Sequence, residues 1–144
     1  MAKKQEENGY PPRGILEDGT EVRLVPVERT GRPLYASRDG HVYSWHRTAF
    51  RQLKPQYATY PCSKANGRRK QRYLKMTDRY AYIYAHHAVL YAWVGPCPKG
   101  FECDHLNGIT TDNRLENLEW VTPEENRRRA VALRKQKKAS SITS

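Results

Sequence analysis

Residues 102–126, ECDHLNGITTDNRLENLEWVTPEEN, contain the most informative pattern in this chain of 144 residues. Two short segments of alternating apolar and polar residues are separated by turn formers such as Asn107-Gly108. Thr122-Pro123-Glu124-Glu125 then supplies a capping hydroxyl, a proline at the first helical position and an acidic first turn. The stretch therefore predicts a β-hairpin followed by a helix.

Folding such a hairpin onto its helix brings three polar side chains towards one point. Asp104 and His105 lie on the first predicted strand, and Asn126 ends the first turn of the helix. A carboxylate and an amide oxygen suit a hard cation such as Mg²⁺ or Mn²⁺. An imidazole beside them can accept a proton from water near neutral pH. These residue types are the components of a one-metal phosphodiesterase.

At these positions the chain resembles the HNH, or ββα-metal, endonucleases, most closely the homing type encoded by phages and introns. The Asp-His motif of that family is matched by Asp104-His105, the middle asparagine of the second strand by Asn117 within NLEWVT, and the helical motif by Asn126. The helical position is usually histidine in the family, although the homing branch often has asparagine. An amide there favours Mg²⁺ or Mn²⁺ over zinc or nickel.

The resemblance implies a role for each of these residues. His105 would be the general base that activates water, and Asp104 and Asn126 would bind the metal. Asn117 would complete the catalytic set by fixing the loop and the orientation of the imidazole. The metal would bridge the scissile phosphate and stabilise the leaving 3′ oxygen. An isolated Asp-His pair is more often a surface ion-pair site, so the prediction depends on the joint occurrence of the three motifs.

The charge of the chain indicates a polyanionic partner. The formal net charge is +11 and the isoelectric point is near 9.8, yet residues 102–126 hold seven acidic residues and one basic residue. A cation is therefore drawn to this stretch and phosphates to the remainder. We expect double-stranded DNA as the partner, bound by a monomer or weak dimer. A basic surface that is merely solvated is the simpler alternative.

The three cysteines have no CxxC spacing, and no signal peptide precedes them. They indicate neither a disulfide framework nor a zinc ribbon. We interpret them as reduced thiols in the cytoplasm of a bacterial host or phage-infected cell. No apolar run approaches the length of a membrane span, so no membrane partner is expected.

The predicted fold class is α+β, with a small β-rich N-terminal segment followed by the ββα-metal, or His-Me finger, nuclease motif. We expect a flexible leader over residues 1–20, a β-rich basic segment that contacts DNA over 21–79, the HNH nuclease domain over 80–138 and a disordered tail over 139–144.

The β-rich segment contains the alternating runs VRLVPV, PLYAS and HVYSW, and Asp39-Gly40 between the last two is a strong hairpin signal. The run LYASRDGHVYSW resembles the YEVSNLGRVRS element of NUMOD4, a small module that often precedes HNH nucleases in mobile-element proteins. That resemblance implies contact with DNA. An ordinary structural hairpin is the alternative.

Basic residues are concentrated in two further stretches. Residues 46–79 contain ten Lys or Arg against one acidic residue, interleaved with aromatic side chains, and the helix after Asn126 continues with basic residues. Such stretches suit contacts to phosphates along a duplex, although a solvated loop around Asn66-Gly67 is equally compatible. The residues predicted to contact DNA are Arg47, Arg51, Lys54, Arg68, Arg69, Lys70, Arg72, Arg127 and Arg128.

The segment HHAVLYAWV has His86, Val89, Leu90 and Trp93 at helical spacing. It resembles the helix that precedes the Asp-His strand in homing-type HNH proteins. Its predicted role is core packing behind the hairpin, with Trp93 as an anchor. A phosphate contact by His86 is the less favoured alternative.

These observations together predict a metal-dependent DNA endonuclease, encoded by a phage or another mobile element. It would hydrolyse phosphodiester bonds by a one-metal, histidine-activated water mechanism, either nicking one strand or cleaving both. One alternative is a catalytically inactive DNA-binding protein on the same scaffold. Another is an RNA-binding basic protein.

Overall fold

The computed structural model describes residues 10–27, 31–60, 71–77 and 82–142. Within these ranges the chain forms, in order, β1 (Arg13–Ile15), β2 (Glu21–Leu24), β3 (Leu34–Ser37), β4 (Val42–His46), β5 (Ala49–Gln52), β6 (Pro55–Tyr60), β7 (Gln71–Thr77), β8 (Tyr82–Tyr84), α1 (Ala85–Trp93), β9 (Glu102–His105), a 3₁₀ turn (Leu115–Asn117), β10 (Leu118–Val121) and α2 (Pro123–Ile142).

The first five strands form one antiparallel sheet in the order β1-β2-β3-β4-β5. The predicted hairpin between β3 and β4 is confirmed, and Gly40 in its turn has a φ of 94°. Only glycine adopts this left-handed conformation without strain, which explains the Asp39-Gly40 signal.

Strand β1 contradicts the prediction of a flexible leader for part of residues 1–20. Arg13–Ile15 pairs with β2, and the Tyr35 hydroxyl donates a hydrogen bond to the Pro11 carbonyl oxygen at 2.7 Å. Gly14 lies against the Phe50 ring so closely that a Cβ atom would come within 2.5 Å of Phe50 Cζ. A strand of three residues is too short to show alternation, and its order comes from these distant contacts. Residues 1–9 lie outside the described residues.

Strands β6, β7 and β8 form a second antiparallel sheet. Residues 78–81 and the connection 61–70 lie outside the described ranges. Met76 is buried and Leu74 and Ile83 pack partly buried beside it, so one face of this sheet joins the core.

Helix α1 is the centre of the core, as predicted. Its side chains Ala85, Ala88, Val89 and Leu90 are fully buried. They form one hydrophobic cluster with Val25, Leu34, Ala36 and Val42 from the N-terminal part, Met76 of β7 and Leu118 of β10. The predicted anchor Trp93 donates its indole N–H to the Ala36 carbonyl oxygen at 2.9 Å. A continuous core thus links the first sheet to the hairpin.

Strands β9 and β10 form the predicted antiparallel hairpin, with Asp104 opposite Glu119. Helix α2 follows at once, and the Glu125 N–H donates to the Thr122 hydroxyl oxygen at 3.2 Å, which confirms the predicted cap. The second strand begins at Leu118. Asn117, predicted on that strand, instead ends the 3₁₀ turn that precedes it.

Helix α2 also extends to Ile142, so residues 139–142 are helical, whereas the sequence predicted a disordered tail from residue 139. No glycine or proline occurs between residues 124 and 142, so no helix-breaking residue ends the helix earlier. In the described part of the chain, no helix combines the length and apolar character needed to cross a membrane. Cys97 and Cys103 are free thiols, and Cys62 lies outside the described residues.

Candidate active site

Strand β9 supplies the two adjacent residues of the predicted site. Asp104 and His105 are each only 7% exposed. Because side chains alternate along a strand, Glu102 and Asp104 point to one face and His105 to the other. The acidic face meets helix α2, and the imidazole meets the loop between β9 and β10.

The His105 ring is held by a residue of that loop. Its Nε2 atom lies 2.9 Å from Oδ1 of Asn113, and Asn113 is 3% exposed. With the amide oxygen facing the ring, Nε2–H is the donor and the other ring nitrogen, Nδ1, is left as a proton acceptor. A neutral imidazole fixed in one tautomer is suited to removing a proton from water.

The protonation of His105 depends on competing influences. Burial lowers its pKa from the ordinary value of 6.5 and is the largest effect, whereas the hydrogen bond to Asn113 and the carboxylates of Asp104 and Asp112 raise it. The net direction is downward, so His105 is neutral at pH 7. That is the protonation state a general base requires.

Asn117 fixes the loop between the two strands. Its Oδ1 accepts a hydrogen bond from the Asn107 backbone N–H at 2.9 Å, and its Nδ2 donates to the Asp112 carbonyl oxygen at 2.8 Å. Asn107 Nδ2 donates to a carboxylate oxygen of Asp112 at 2.8 Å. Asn117 therefore closes both ends of the loop, while the hydrogen bond to the imidazole comes from Asn113.

On the acidic face, Arg129 of helix α2 binds the carboxylate of Asp104. Its guanidinium donates to Asp104 Oδ2 at 3.2 Å, to Glu119 Oε2 at 2.6 Å and to Glu125 Oε1 at 3.0 Å. Hydrogen bonds to Glu119, Glu125 and Asp104 raise the pKa of Arg129 above its usual range. This arginine attaches the first turns of α2 to β9 and β10.

Asn126 lies one turn before Arg129 on the same helix. Its Nδ2 donates to Glu102 Oε1 at 2.6 Å, so the amide oxygen is not used in that contact. Asp104 and Asn126 are thus both placed where α2 crosses β9, but each is joined to a different partner. Glu102, Asp104 and Asn126 provide hard oxygen donors, the type that Mg²⁺ prefers. The described ranges contain no group of three His, Cys, Asp or Glu side chains able to hold a metal ion.

A group of aromatic rings borders His105 on the side of α1. The His86 ring centroid is 5.1 Å and the Tyr73 ring centroid 6.3 Å from that of His105. Burial, followed by the neighbouring His87 and His105, lowers the pKa of His86 to about 2. A neutral, buried imidazole packs in the core and carries no charge to attract a phosphate, which supports the packing role predicted for α1.

Comparison with known proteins finds a family match for part of the chain. Residues 83–128 match the model of the HNH endonuclease family. We call residues 83–128 the HNH segment, after the family whose model they match. The HNH segment comprises nearly all of β8, all of α1, the β9–β10 hairpin and the first turns of α2. It includes Asp104, His105, Asn117 and Asn126.

A solved structure titled "DNA binding and cleavage by the HNH homing endonuclease I-HmuI" also matches, with a TM-score of 0.51 and 23% sequence identity. The match covers 76% of this chain and 59% of that chain, so this chain spans about three fifths of the length of that protein. At this identity the likeness concerns the fold, and it confirms the predicted α+β class with a β-rich part before the HNH segment. No curated protein sequence matches the chain.

Three residues around the HNH motif were not recognised from the sequence: Glu102, Asn113 and Arg129. Glu102 could have been found from strand alternation, which places it on the face of Asp104. Arg129 is three residues after Asn126, a spacing that places both on one helical face. Asn113 had no feature in the sequence beyond its preference for turns. Its hydrogen bond to His105 depends on how the loop folds.

The residues predicted to contact DNA are only partly described. Arg47, Arg51 and Lys54 are exposed on and after the β4–β5 hairpin, and Arg127 and Arg128 are exposed on α2 at the end of the HNH segment. Arg128 also pairs with Glu125 at 3.0 Å. Residues 68–70 lie outside the described residues, and so does the side chain of Arg72.

Proposed function

We propose that this protein is a metal-dependent DNA endonuclease that hydrolyses phosphodiester bonds with His105 as the general base. The observation that carries the proposal is a buried, neutral imidazole, fixed by Asn113 and adjacent in sequence to Asp104, within a segment that matches HNH endonucleases. The related fold belongs to a protein described as binding and cleaving DNA, which supports DNA as the substrate class.

In the proposed reaction, Nε2–H of His105 stays bound to Asn113 while Nδ1 accepts a proton from the attacking water. A positioned general base contributes on the order of 10²–10⁴-fold to the rate. Asn117 holds the loop on which Asn113 lies. Asn113 and Asn117 would therefore act by leaving Nδ1 of His105 free and directed towards the water.

Asp104 and Asn126 would hold the metal ion, for which Mg²⁺ or Mn²⁺ fits the donor atoms. Glu102 binds the amide N–H₂ of Asn126, which leaves the amide oxygen for ligation. Arg129 occupies Oδ2 of Asp104, which leaves the other carboxylate oxygen. When bound, the ion would neutralise charge on the scissile phosphate and the leaving 3′ oxygen.

The basic remainder of the chain would bind the duplex. We propose that residues 21–79 contact DNA and that residues 80–138 carry the nuclease activity. A phosphate-binding role is supported by exposed basic residues on both sides of the HNH segment. They are Arg47, Arg51 and Lys54 before it and Arg127 and Arg128 at its end.

A plasmid nicking assay with and without Mg²⁺ tests the proposal. The wild-type protein should convert supercoiled plasmid to the open-circular form only with the metal. His105→Ala should slow this by about 10²–10⁴-fold while leaving DNA affinity unchanged. His46→Ala, which removes a histidine of the first sheet, is the matched control and should keep the wild-type nicking rate at saturating DNA.

Two other outcomes would reject the proposal in favour of its alternatives. Tight DNA binding without cutting in either Mg²⁺ or Mn²⁺ would indicate an inactive DNA-binding protein. Preferential binding of structured RNA in competition with duplex DNA would indicate an RNA-binding protein, since the two helices present different grooves.

The metal ligands are tested separately. Asp104→Asn and Asn126→Ala should lose activity at low Mg²⁺ and recover part of it at high Mg²⁺ or in Mn²⁺, because a weakened site is filled by mass action. Asn126→His should remain active. Full activity of Asn126→Ala at low Mg²⁺ would remove Asn126 from the ligand set.

A further inference from the structure

The contact between His105 and Asn113 is more constrained than a usual loop hydrogen bond. Asn113 is 3% exposed, and its Oδ1 faces His105 Nε2 at 2.9 Å. Its Nδ2 is buried and has no hydrogen-bond partner within the described ranges. A buried amide with an unmatched donor is unfavourable, so the hydrogen bond of its oxygen to His105 is the polar contact that this side chain makes within the described residues.

The turn between β3 and β4 supplies that constraint from the N-terminal sheet. A Cβ atom on Gly40 would lie 2.8 Å from both the backbone carbon and the carbonyl oxygen of Asn113. Two residues further on, the Leu115 N–H donates to the Arg38 carbonyl oxygen at 2.8 Å. The turn therefore packs backbone against backbone on both sides of residue 114.

The other side of the loop is closed by the HNH segment itself. Asn117 Nδ2 donates to the carbonyl oxygen of Asp112, the residue before Asn113. The peptide of Asn113 is thus held between Asn117 on one side and Gly40 with Arg38 on the other. Displacement of the turn would move the amide that faces the imidazole.

We propose that Asn113 is a positioning residue that selects the Nε2–H tautomer of His105, and that the Arg38–Gly40 turn holds Asn113 in place. The N-terminal sheet would then contribute to the chemical step as well as to DNA contact. This inference rests on the proposed nuclease function for its kinetic readout. Its spectroscopic readout is independent of activity.

The first experiment compares Asn113→Leu with Asn113→Asp. Leucine is similar in size but has no acceptor, whereas aspartate keeps the acceptor oxygen. We expect Asn113→Leu to lower kcat for nicking by about 10–100-fold with KM unchanged, the same range as for removal of a hydrogen-bond partner that orients a metal-binding histidine. Asn113→Asp should restore kcat to within a few-fold of the wild type.

Imidazole ¹⁵N NMR of the full-length protein provides the activity-independent measurement. The wild-type and Asn113→Asp proteins should show His105 protonated at Nε2, and Asn113→Leu should show a mixture of tautomers. An Nε2–H signal that is unchanged in folded Asn113→Leu would overturn the proposal. If the wild type shows the expected tautomer but cuts no DNA, the nuclease function fails while the positioning of the ring stands.

The second experiment tests the turn with matched glycine variants. Gly40 and Gly19 both have left-handed φ angles, 94° and 87°, but nothing lies within 4 Å of a Cβ at Gly19. Gly40→Ala and Gly19→Ala therefore introduce similar backbone strain, and only the first adds a collision with Asn113.

Gly40→Ala should shift the His105 ring signals and lower kcat, whereas Gly19→Ala should change neither. If folded Gly40→Ala keeps the wild-type signals and kcat, the turn does not hold Asn113 and that part of the proposal is refuted.

A second pair of variants covers the case in which Gly40→Ala does not fold. Insertion of one glycine between Gly40 and His41 loosens the turn without adding a side chain, and insertion of one glycine between Gly19 and Thr20 is its control. The first insertion should shift the His105 ring signals and lower kcat, and the second should change neither. Wild-type signals and kcat in both insertion variants would refute the role of the turn.

Discussion

His86 provides a quantitative test of the core, because it is a titratable group placed where a charge is unfavourable. It is 6% exposed on α1, and burial lowers its pKa from 6.5 to about 2. Between these values the unfolded chain binds a proton at this position and the folded chain does not. The contribution of neutral His86 to the free energy of unfolding is therefore fully present above pH 6.5. It decreases as the pH falls below that value. At pH 5, about 1.5 units below the unfolded value, the loss is about 2 kcal/mol.

The assay is urea unfolding of the wild type and of His86→Phe at pH 7 and pH 5. Between these pH values the wild type should lose about 2 kcal/mol more free energy of unfolding than the variant. Titrating groups that do not interact with His86 are present in both proteins and cancel in the comparison. Val89→Ala, a buried truncation on the same helix, should lower stability equally at both pH values. Identical pH dependence in the wild type and His86→Phe would refute the reasoning.

Three further predictions concern activity, folding and binding. Because burial lowers the pKa of His105, the nicking rate at saturating metal should decline only below pH 6.5. A midpoint above that value in the pH–rate profile would contradict His105 as the general base. Gly14→Ala should destabilise the fold by about 1–3 kcal/mol through its collision with Phe50, and an unchanged urea midpoint would show that β1 is not packed there. Replacing residues 68–70 by alanine should reduce the slope of log affinity against log salt by about 0.9 for each phosphate that is no longer bound. An unchanged slope would place this segment away from the duplex.

The ββα unit was predictable because its signals are local. The Thr122-Pro123 cap, the turn formers after His105 and the alternation in each strand all occur within 25 residues. The same holds for the β3–β4 hairpin, where Asp39-Gly40 defines the turn, and for α1, whose apolar spacing is helical over nine residues. In each case the residues that specify the element are those that form it.

The parts that the sequence did not reveal depend on distant contacts. Strand β1 is ordered by Tyr35 and Phe50, which are more than twenty residues away in the chain. Arg129 and Asp104 are 25 residues apart, and the partner of Asn113 depends on how the loop folds back on β9. A single polar residue shows no periodicity, so its partner becomes visible only when the strands and helices are placed together.

The shared core around α1 limits how this protein could exchange parts with others. The HNH match begins at residue 83, yet the buried face of α1 is covered by Leu34, Ala36 and Val42 of the first sheet. A recombination breakpoint near residue 80 would leave both fragments with apolar side chains exposed to water, at a cost of about 25 cal/mol for each Å². A chimera would fold only if the incoming module brought a matching apolar surface. Recombination should therefore favour transfer of the first sheet and the HNH segment together.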